Sequence, residues 1–225
     1  MKKFVIIAAG GIGARMKTDK LKQFIILAGK PVLMHTINVF YNYDNNINII
    51  LALPKDHIDN WKNLCKQYNF EIKHTIVEGG RTRFHSVKNA LKTIDEDGLI
   101  AIHDGVRPFV SINTINACFE TAKLYENAIP IVEVSDTTRF VDEKNNKPID
   151  RTKIKLVQTP QVFDSKIIKY AYEQSYSTDF TDDASVIEAW GHKINLIEGN
   201  KENIKITTPI DLQFAEVIIN NLNIQ

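Results

Sequence analysis

Phe4-Val5-Ile6-Ile7-Ala8-Ala9-Gly10-Gly11-Ile12-Gly13-Ala14-Arg15-Met16 is the stretch on which the reading of this chain turns. Residues 4–9 are a short apolar run stopped at once by glycine, which predicts a buried strand. Gly10, Gly11 and Gly13 carry no Cβ atoms, so their main-chain N–H groups can face a ligand and take dihedrals closed to other residues. A nest of such N–H groups binds phosphate oxygens. Arg15, Lys17, Lys20 and Lys22 follow, so the loop is cationic as well as rich in donors. Strand, glycine loop and cations together suggest a nucleotide polyphosphate site. The alternative is a glycine turn flanked by solvated lysines.

Two familiar phosphate loops do not fit. The dinucleotide fingerprint needs a third glycine where Met16 stands, and an acid near the end of the second strand, which here closes on Leu53-Pro54. A P-loop needs Gly-Lys followed by Ser or Thr, and the chain has none.

Outward from the loop, apolar spacing alternates between two periods. Pro31 suits a first helical turn, with Leu33, Ile37 and Phe40 at helical spacing behind it. Residues 47–53 predict a strand, Ile58 to Tyr68 a helix, residues 72–77 a strand, and Phe84 to Ile94 a helix. Residues 99–103 predict another strand, Ser111 a cap for the next helix, and residues 128–134 a strand. Such alternation implies an α/β layer fold with a largely parallel sheet flanked by helices. Ligands in such sheets bind beyond the carboxyl ends of the strands. The first glycine loop, Gly79-Gly80 and Asp104-Gly105 all lie at such ends.

Residues 135–156 break the rhythm. A polar tip at Asn145-Asn146 between short extended arms predicts a hairpin projecting from the domain. A hairpin alone in water is marginal, so it must pack on something. Residues 156–163 follow, then a helix opened by Asp164 or Ser165, a helix through Ala184, Ile187 and Trp190, and a strand at 194–197. Thr208-Pro209-Ile210-Asp211 opens the last helix with a cap, a proline and an acid. With no repeat or linker, residues 1–225 are expected to form one domain.

The chain has 225 residues, 28 basic and 27 acidic, for a net charge of +1. That argues against a general nucleic-acid or membrane-surface binder, which would carry a basic excess. No run approaches transmembrane length, and the Met-Lys-Lys start precedes only six apolar residues, too few for a signal peptide. A cytoplasmic protein is expected. Cys65 and Cys118, the only cysteines, sit on apolar faces of predicted helices and are expected to pack as small hydrophobes.

Asp104, at a strand's carboxyl end beside a phosphate loop, is a candidate Mg²⁺ ligand, since Mg²⁺ takes one or two carboxylates plus phosphate oxygens and water; a turn aspartate capping local N–H groups is the alternative. His103 has no partner histidine at ligand spacing, so a structural role is expected. In Thr181-Asp182-Asp183-Ala184 the plain reading is Thr181 as a helix cap with acids in the first turn. Lys201, Lys205 and Arg151 read by spacing alone as surface cations.

Taken together the motifs are familiar. Ala8 to Met16 with Lys22-Gln23-Phe24 resembles the signature loop of sugar nucleotidyltransferases. Gly79-Gly80 through Ser86-Val87, His103-Asp104 with Arg107-Pro108, Asp136-Thr137, Asp150-Arg151, Gln158-Thr159-Pro160-Gln161, Thr181 to Ser185 and Asn203 to Thr207 narrow it. In that order they are similar to the 2-C-methyl-D-erythritol 4-phosphate cytidylyltransferase family of the non-mevalonate isoprenoid pathway, over nearly the whole chain. Two positions depart: Leu21 stands where the family usually has proline, and Arg81 where it often has an acid.

The resemblance implies a Rossmann-like nucleotidyltransferase domain that uses CTP and Mg²⁺ and releases pyrophosphate. It implies that Arg15 and Lys22 stabilise charge on the α-phosphoryl group, that Arg151 and Lys205 position the incoming phosphate, and that Asp104 holds the metal. It places Ala8, Ala9, Gly10, Gly11, Gly13, Gly80, Ser86, Asp104 and Gly105 around CTP, and Arg107, Thr137 and Thr181 near the sugar phosphate. It also implies a homodimer whose arms interlock, so that Arg151 serves the neighbouring subunit. The glycine loop alone does not choose the base, and ribitol 5-phosphate is the rival polyol. A nucleotide-binding regulator without catalysis is the rival of another class.

Overall fold

The computed structural model describes residues 1–10 and 21–222. Gly11, Gly13 and Arg15 lie outside the described residues. The apolar run at the N-terminus forms β1 (Lys2–Ala8). Then come two short strands, β2 (Ile26–Leu27) and β3 (Lys30–Pro31), helix α1 (Val32–Tyr43), β4 (Asn48–Leu53), α2 (Ile58–Gln67), β5 (Thr75–Glu78), α3 (Arg83–Leu91) and β6 (Gly98–Asp104). The chain continues through α4 (Ile112–Tyr125), β7 (Asn127–Glu133), a hairpin of β8 (Thr138–Val141) and β9 (Asn146–Ile149), β10 (Lys155–Val157) and β11 (Gln161–Asp164). It ends with α5 (Ser165–Ala171), α6 (Asp183–Ala189), β12 (Leu196–Glu198) and α7 (Pro209–Leu222).

Eight strands form one sheet in the order β10-β7-β11-β6-β1-β4-β5, with β12 joined through β7. β6, β1, β4 and β5 are mutually parallel, with Ala8 of β1 in register with Ala52 on one side and Asp104 on the other. β11 runs antiparallel between β6 and β7. β1 shows why both faces are covered. Its odd residues Val5 and Ile7 pack with Leu33, Ile37, Trp61 and Phe119, from α1, α2 and α4. Its even residues Phe4 and Ile6 pack with Phe84, Val87, Ile168 and Ile187, from α3, α5 and α6. Side chains alternate along a strand, so a continuous apolar run demands helices on both sides. Each such buried side chain contributes about 1.5–3 kcal/mol. α7 closes a smaller cluster of its own, in which Ala215 and Ile219 meet Leu27, Val32 and Ile206.

Local chemistry sets most of the element ends. Ser111 accepts from Thr114 N at 3.0 Å and caps α4 as expected. Asp211 turns back to accept from the N–H groups of Thr207 and Thr208, both at 2.8 Å, and fastens the start of α7. Three expectations are corrected. α6 is capped by Asp182, not Thr181: Asp182 accepts from Ser185 N at 2.9 Å in a full capping box. The strand expected at 72–77 is confined to Thr75–Glu78, because His74 Nδ1 donates to the carbonyl of Ile72 and folds the approach. Residues 156–163, for which the sequence pattern predicts no element, run through β10 and β11: Gln158 N still donates to Pro130 O of β7 at 2.8 Å, continuing the β10–β7 register, and the break falls at Thr159-Pro160, where Pro160 has no N–H to give. The hairpin turns at residues 142–145, where Asp142 accepts from the N–H groups of Lys144 and Asn145, so Asn146 is already in β9.

The arm itself is a separate two-stranded sheet. Leu156 pairs with Val132 in the main sheet, so the projecting part ends before β10. Cys118 is fully buried and Cys65 partly so, and burial pushes their thiols up to about 12 and about 11 respectively.

Candidate active site

The carboxyl ends of β1, β5 and β6 meet at a cleft of about 250 Å³. Its walls include Ala8, Ala9, Gly10, Lys22, Gly80, Ser86, Asp104 and Lys205, brought together from five separate stretches of sequence. Backbone bonds hold the strand ends in place: Ala9 N donates to Ala52 O at 3.0 Å, Gly79 N to Leu53 O at 2.7 Å and Gly105 N to Ala8 O at 3.0 Å.

Gly80 is glycine for a reason of space. A Cβ there would lie 2.3 Å from His85 Cβ, inside the first turn of α3. Ser86 stitches that turn together. Its Oγ accepts from Gly80 N and donates to the Thr82 carbonyl, both at 3.0 Å. Gly10 faces the same hydroxyl, with room for a Cβ only at 3.4 Å from Ser86 Oγ. The two glycine turns thus converge on one buried serine.

Lys22 opens a single 3₁₀ turn, Lys22–Phe24, whose next two residues are buried anchors. Gln23 Nε2 donates to Ala9 O at 2.6 Å, and Phe24 stacks on Trp61 at 6.1 Å between ring centroids. These contacts tie the exit of the glycine loop to its entrance and bring Lys22 to the cleft wall. Leu21 holds φ −60° and ψ 133°, angles a proline would accept.

Asp104 is the centre of charge. Its Oδ1 receives Arg83 Nε at 3.3 Å. Its Oδ2 receives Lys205 Nζ at 2.8 Å and Arg107 Nε at 3.4 Å. Burial pushes the carboxyl up, but the attraction of Arg83, Lys205 and Arg107 outweighs it and holds Asp104 far below the usual carboxylate range. Arg107 is steadied from behind by a 2.7 Å bond from Nη1 to Asn203 O.

His103 lies beneath, fully buried and edge-on to Phe40 at 4.9 Å. Its Nε2–H donates to Arg107 O at 3.0 Å, so neutral Nδ1 accepts from the Thr159 hydroxyl, also at 3.0 Å. The Thr159 oxygen in turn accepts from Asp104 N at 3.2 Å. Both ring nitrogens are spent on structure, as the missing ligand partner suggested.

Spacing left Arg83 unnoticed, and the family motifs did not single it out. Its guanidinium grips Asp183 with two bonds, Nη1 to Oδ1 at 2.8 Å and Nη2 to Oδ2 at 2.6 Å. The only hint in the sequence was the acid pair Asp182-Asp183, one of which proves to be a cap and the other fully buried. Arg81, Thr82 and Gln23 are further lining residues that no spacing argument reached.

Of the other expected residues, Gly105 sits just behind the wall, where a Cβ would lie 3.0 Å from Ala9 Cβ. Arg107 reaches the site through Asp104. Thr137, Arg151 and Thr181 are exposed and do not line this cleft. Arg151 stands at the base of the arm, its Nη1 donating to Ser135 O.

Comparison with known proteins points to one family. The sequence pattern of the family described as 2-C-methyl-D-erythritol 4-phosphate cytidylyltransferase matches residues 3–221. A protein of that name from Bacteroides thetaiotaomicron is 49% identical over 219 residues, 97% of this chain and 100% of the relative. One from Phocaeicola vulgatus is 50% identical over the same span and shares. Among solved structures, 4-diphosphocytidyl-2C-methyl-D-erythritol synthase from Anaerococcus prevotii is similar with a TM-score of 0.82 at 29% identity, covering 97% of this chain and 96% of that one. The 2-C-methyl-D-erythritol 4-phosphate cytidylyltransferase of Francisella tularensis is similar with a TM-score of 0.79 at 34% identity, covering 96% and 99%.

Proposed function

The chain belongs to the 2-C-methyl-D-erythritol 4-phosphate cytidylyltransferase family, and on that footing we propose that its chemistry takes place in the cleft around Asp104. The activity is transfer of a cytidylyl group from CTP to 2-C-methyl-D-erythritol 4-phosphate, giving 4-diphosphocytidyl-2-C-methyl-D-erythritol and pyrophosphate in isoprenoid biosynthesis.

A phosphate oxygen of the polyol attacks the α-phosphorus of CTP, and the bond from that phosphorus to the oxygen bridging to the β-phosphate breaks. The attacking monoester is mostly dianionic at neutral pH, its second pKa being about 6, so no general base is required. The difficulty is bringing two anions together, and positioning with fixed charge answers it. The observation that carries this reading is the gathering of Lys22, Arg83, Lys205 and Asp104 at the strand ends beside two glycine turns. In it, Arg15 and Lys22 stabilise the α-phosphoryl group, Lys205 and Arg151 position the incoming phosphate, and Arg107, Thr137 and Thr181 lie near the sugar phosphate. Ala8 to Gly11, Gly13, Gly80, Ser86 and Gly105 hold the nucleotide.

Mg²⁺ is part of the proposal. Asp104 is ionised, projects into the cleft and is the one carboxylate among its described lining residues. Among the described residues no cluster of three or more His, Cys, Asp or Glu could enclose a metal by itself. That donor set fits a cation that takes one or two carboxylates and fills its shell with phosphate oxygens and water. Bound there, the ion would offset charge on the triphosphate.

A homodimer completes the reading. Phe140 and Val141 on the arm, Leu156 and Val157 on β10, and Leu196 on β12 are exposed apolar residues. An unsupported hairpin is marginal, and a symmetric partner would cover the arm. Thr137 and Arg151 stand off their own cleft, which suits a role in the neighbour's. The chain is read as one nucleotidyltransferase domain bearing this arm. Among the described residues no helix is long and apolar enough to cross a membrane, and the proposed location is the cytoplasm.

The test of these roles is Lys205→Ala. A raised KM for the polyol phosphate with an unchanged Kd for CTP is expected. An unchanged KM, or an equal loss of CTP affinity, would remove Lys205 from the acceptor side.

A further inference from the structure

Asp183 and Tyr172 do not line the cleft, yet they hold Arg83, the one cation among the described residues that touches Asp104 Oδ1. Asp183 is fully buried, with no water to solvate its charge. It takes both Nη atoms of Arg83, at 2.8 and 2.6 Å, and the hydroxyl of Tyr172 at 2.6 Å. Tyr172 is itself fixed: buried in α5's flank, its ring stacks on Phe84 at 4.6 Å and 15°. The start of α6 is pinned as well, by Gln161 of β11, which accepts from Ala184 N at 2.9 Å and donates to Asp182 Oδ2 at 2.8 Å. A buried carboxylate held this way cannot release its arginine without a large desolvation penalty. Arg83 is therefore a strut with a fixed far end. Its Nε meets Asp104 Oδ1 at 3.3 Å, leaving Oδ2 for Lys205 at 2.8 Å and Arg107 at 3.4 Å.

We propose that Arg83, clamped by Asp183 and Tyr172, is a positioning residue: it fixes the rotation of the Asp104 carboxylate, so that one oxygen is spent on the scaffold and the other faces the substrate-handling cations. The clamp has a second consequence. Three cations, Arg83, Arg107 and Lys205, share two carboxylates, Asp104 and Asp183. By holding both Nη atoms, Asp183 keeps Arg83 from spending its charge on the triphosphate before reaction. Binding energy used in the ground state does not speed the chemical step.

The inference rests on the placing of Asp104 in the reacting site, so Asp104→Asn is measured beside it. Asp183→Asn keeps the shape of the clamp and removes its charge; Tyr172→Phe removes one hydrogen bond and keeps the ion pair. For Asp183→Asn, turnover is expected to fall about tenfold to a hundredfold, as for loss of one preorganised electrostatic contact, while the Kd for CTP is unchanged or tighter because Arg83 is freed toward the anion. Tyr172→Phe should shift both quantities in the same directions by a smaller factor. A purely structural role would lower turnover and CTP affinity together, in step with the fraction unfolded. That parallel loss in Asp183→Asn, or wild-type turnover in either folded variant, overturns the proposal. If Asp104→Asn itself turns over normally, the assignment of the cleft fails first; if it is inactive and Tyr172→Phe and Asp183→Asn are not impaired, only the clamp fails.

Discussion

His103 makes the packing beneath Asp104 testable by pH alone. The imidazole is fully buried, its Nε2–H given to the Arg107 carbonyl and its Nδ1 occupied by the Thr159 hydroxyl. A second proton would force that hydroxyl to turn and would leave a charge with no water near Arg107 and Arg83. Burial is the main cause, and it lowers the pKa from 6.5 to about 4. The unfolded chain takes up a proton that the folded chain refuses. The stabilisation is whole above pH 6.5 and is lost as pH falls toward 4. At about 1.4 kcal/mol per pH unit, the loss is about 3 kcal/mol over the full window and about 2 kcal/mol between pH 6.5 and 5. Urea unfolding of the wild type and of His103→Gln, in chelator-containing buffer from pH 7.5 to 5, reads it directly. Gln can donate to the Arg107 carbonyl and accept from Thr159 but does not titrate. His35 and His74 are also depressed, chiefly by burial, but contribute equally to both proteins. The difference in unfolding free energy between the two chains should therefore shrink by about 2 kcal/mol from pH 6.5 to 5. Parallel pH profiles would refute the claim that His103 is held neutral.

Lys22→Ala and Arg15→Ala should lower turnover about a hundredfold, roughly 3 kcal/mol of transition-state stabilisation, with much smaller effects on CTP binding measured by calorimetry; near-normal turnover at saturation would remove them from the α-phosphoryl group. Asp104→Asn should keep its fold by circular dichroism and lose most Mg²⁺-dependent activity, and an unchanged Mg²⁺ titration would take Asp104 out of the metal site. Arg151→Ala and Lys22→Ala chains, each strongly impaired alone, should regain activity when mixed and allowed to exchange, because a mixed dimer with arms acting in trans has one site free of both lesions. Continued inactivity despite proven exchange would place Arg151 in its own chain's site.

The elements that lie close in sequence were legible. The run at residues 4–9, the cap at Ser111 and the opening of α7 follow from local apolar spacing and side-chain hydrogen bonds, which act over a few residues. Asp104 and Gly80 could be placed at strand ends because each follows an apolar strand. Direction could not: Gln161–Asp164 is too short, with only Val162 and Phe163 apolar, and nothing in that pattern says it runs antiparallel to β6. Arg83 was hidden for a related reason. Its partner Asp183 is 100 residues away, and an isolated arginine followed by a helical pattern looks like a surface cation until the fold buries the acid that holds it. Thr181 and Asp182 are both good N-cap residue types, so local spacing does not choose between them; the capping box that Asp182 forms with Ser185 does. Lys205 takes its meaning from a residue distant in sequence, since its Nζ lies 2.8 Å from Asp104 Oδ2.

Pyrophosphate release by the purified chain tests the functional reading most directly. CTP, UTP and GTP are each offered with 2-C-methyl-D-erythritol 4-phosphate and with ribitol 5-phosphate, in the presence of Mg²⁺. Release is expected with CTP and 2-C-methyl-D-erythritol 4-phosphate, and to be abolished in Asp104→Asn. Release confined to ribitol 5-phosphate, or to a nucleotide other than CTP, would contradict it.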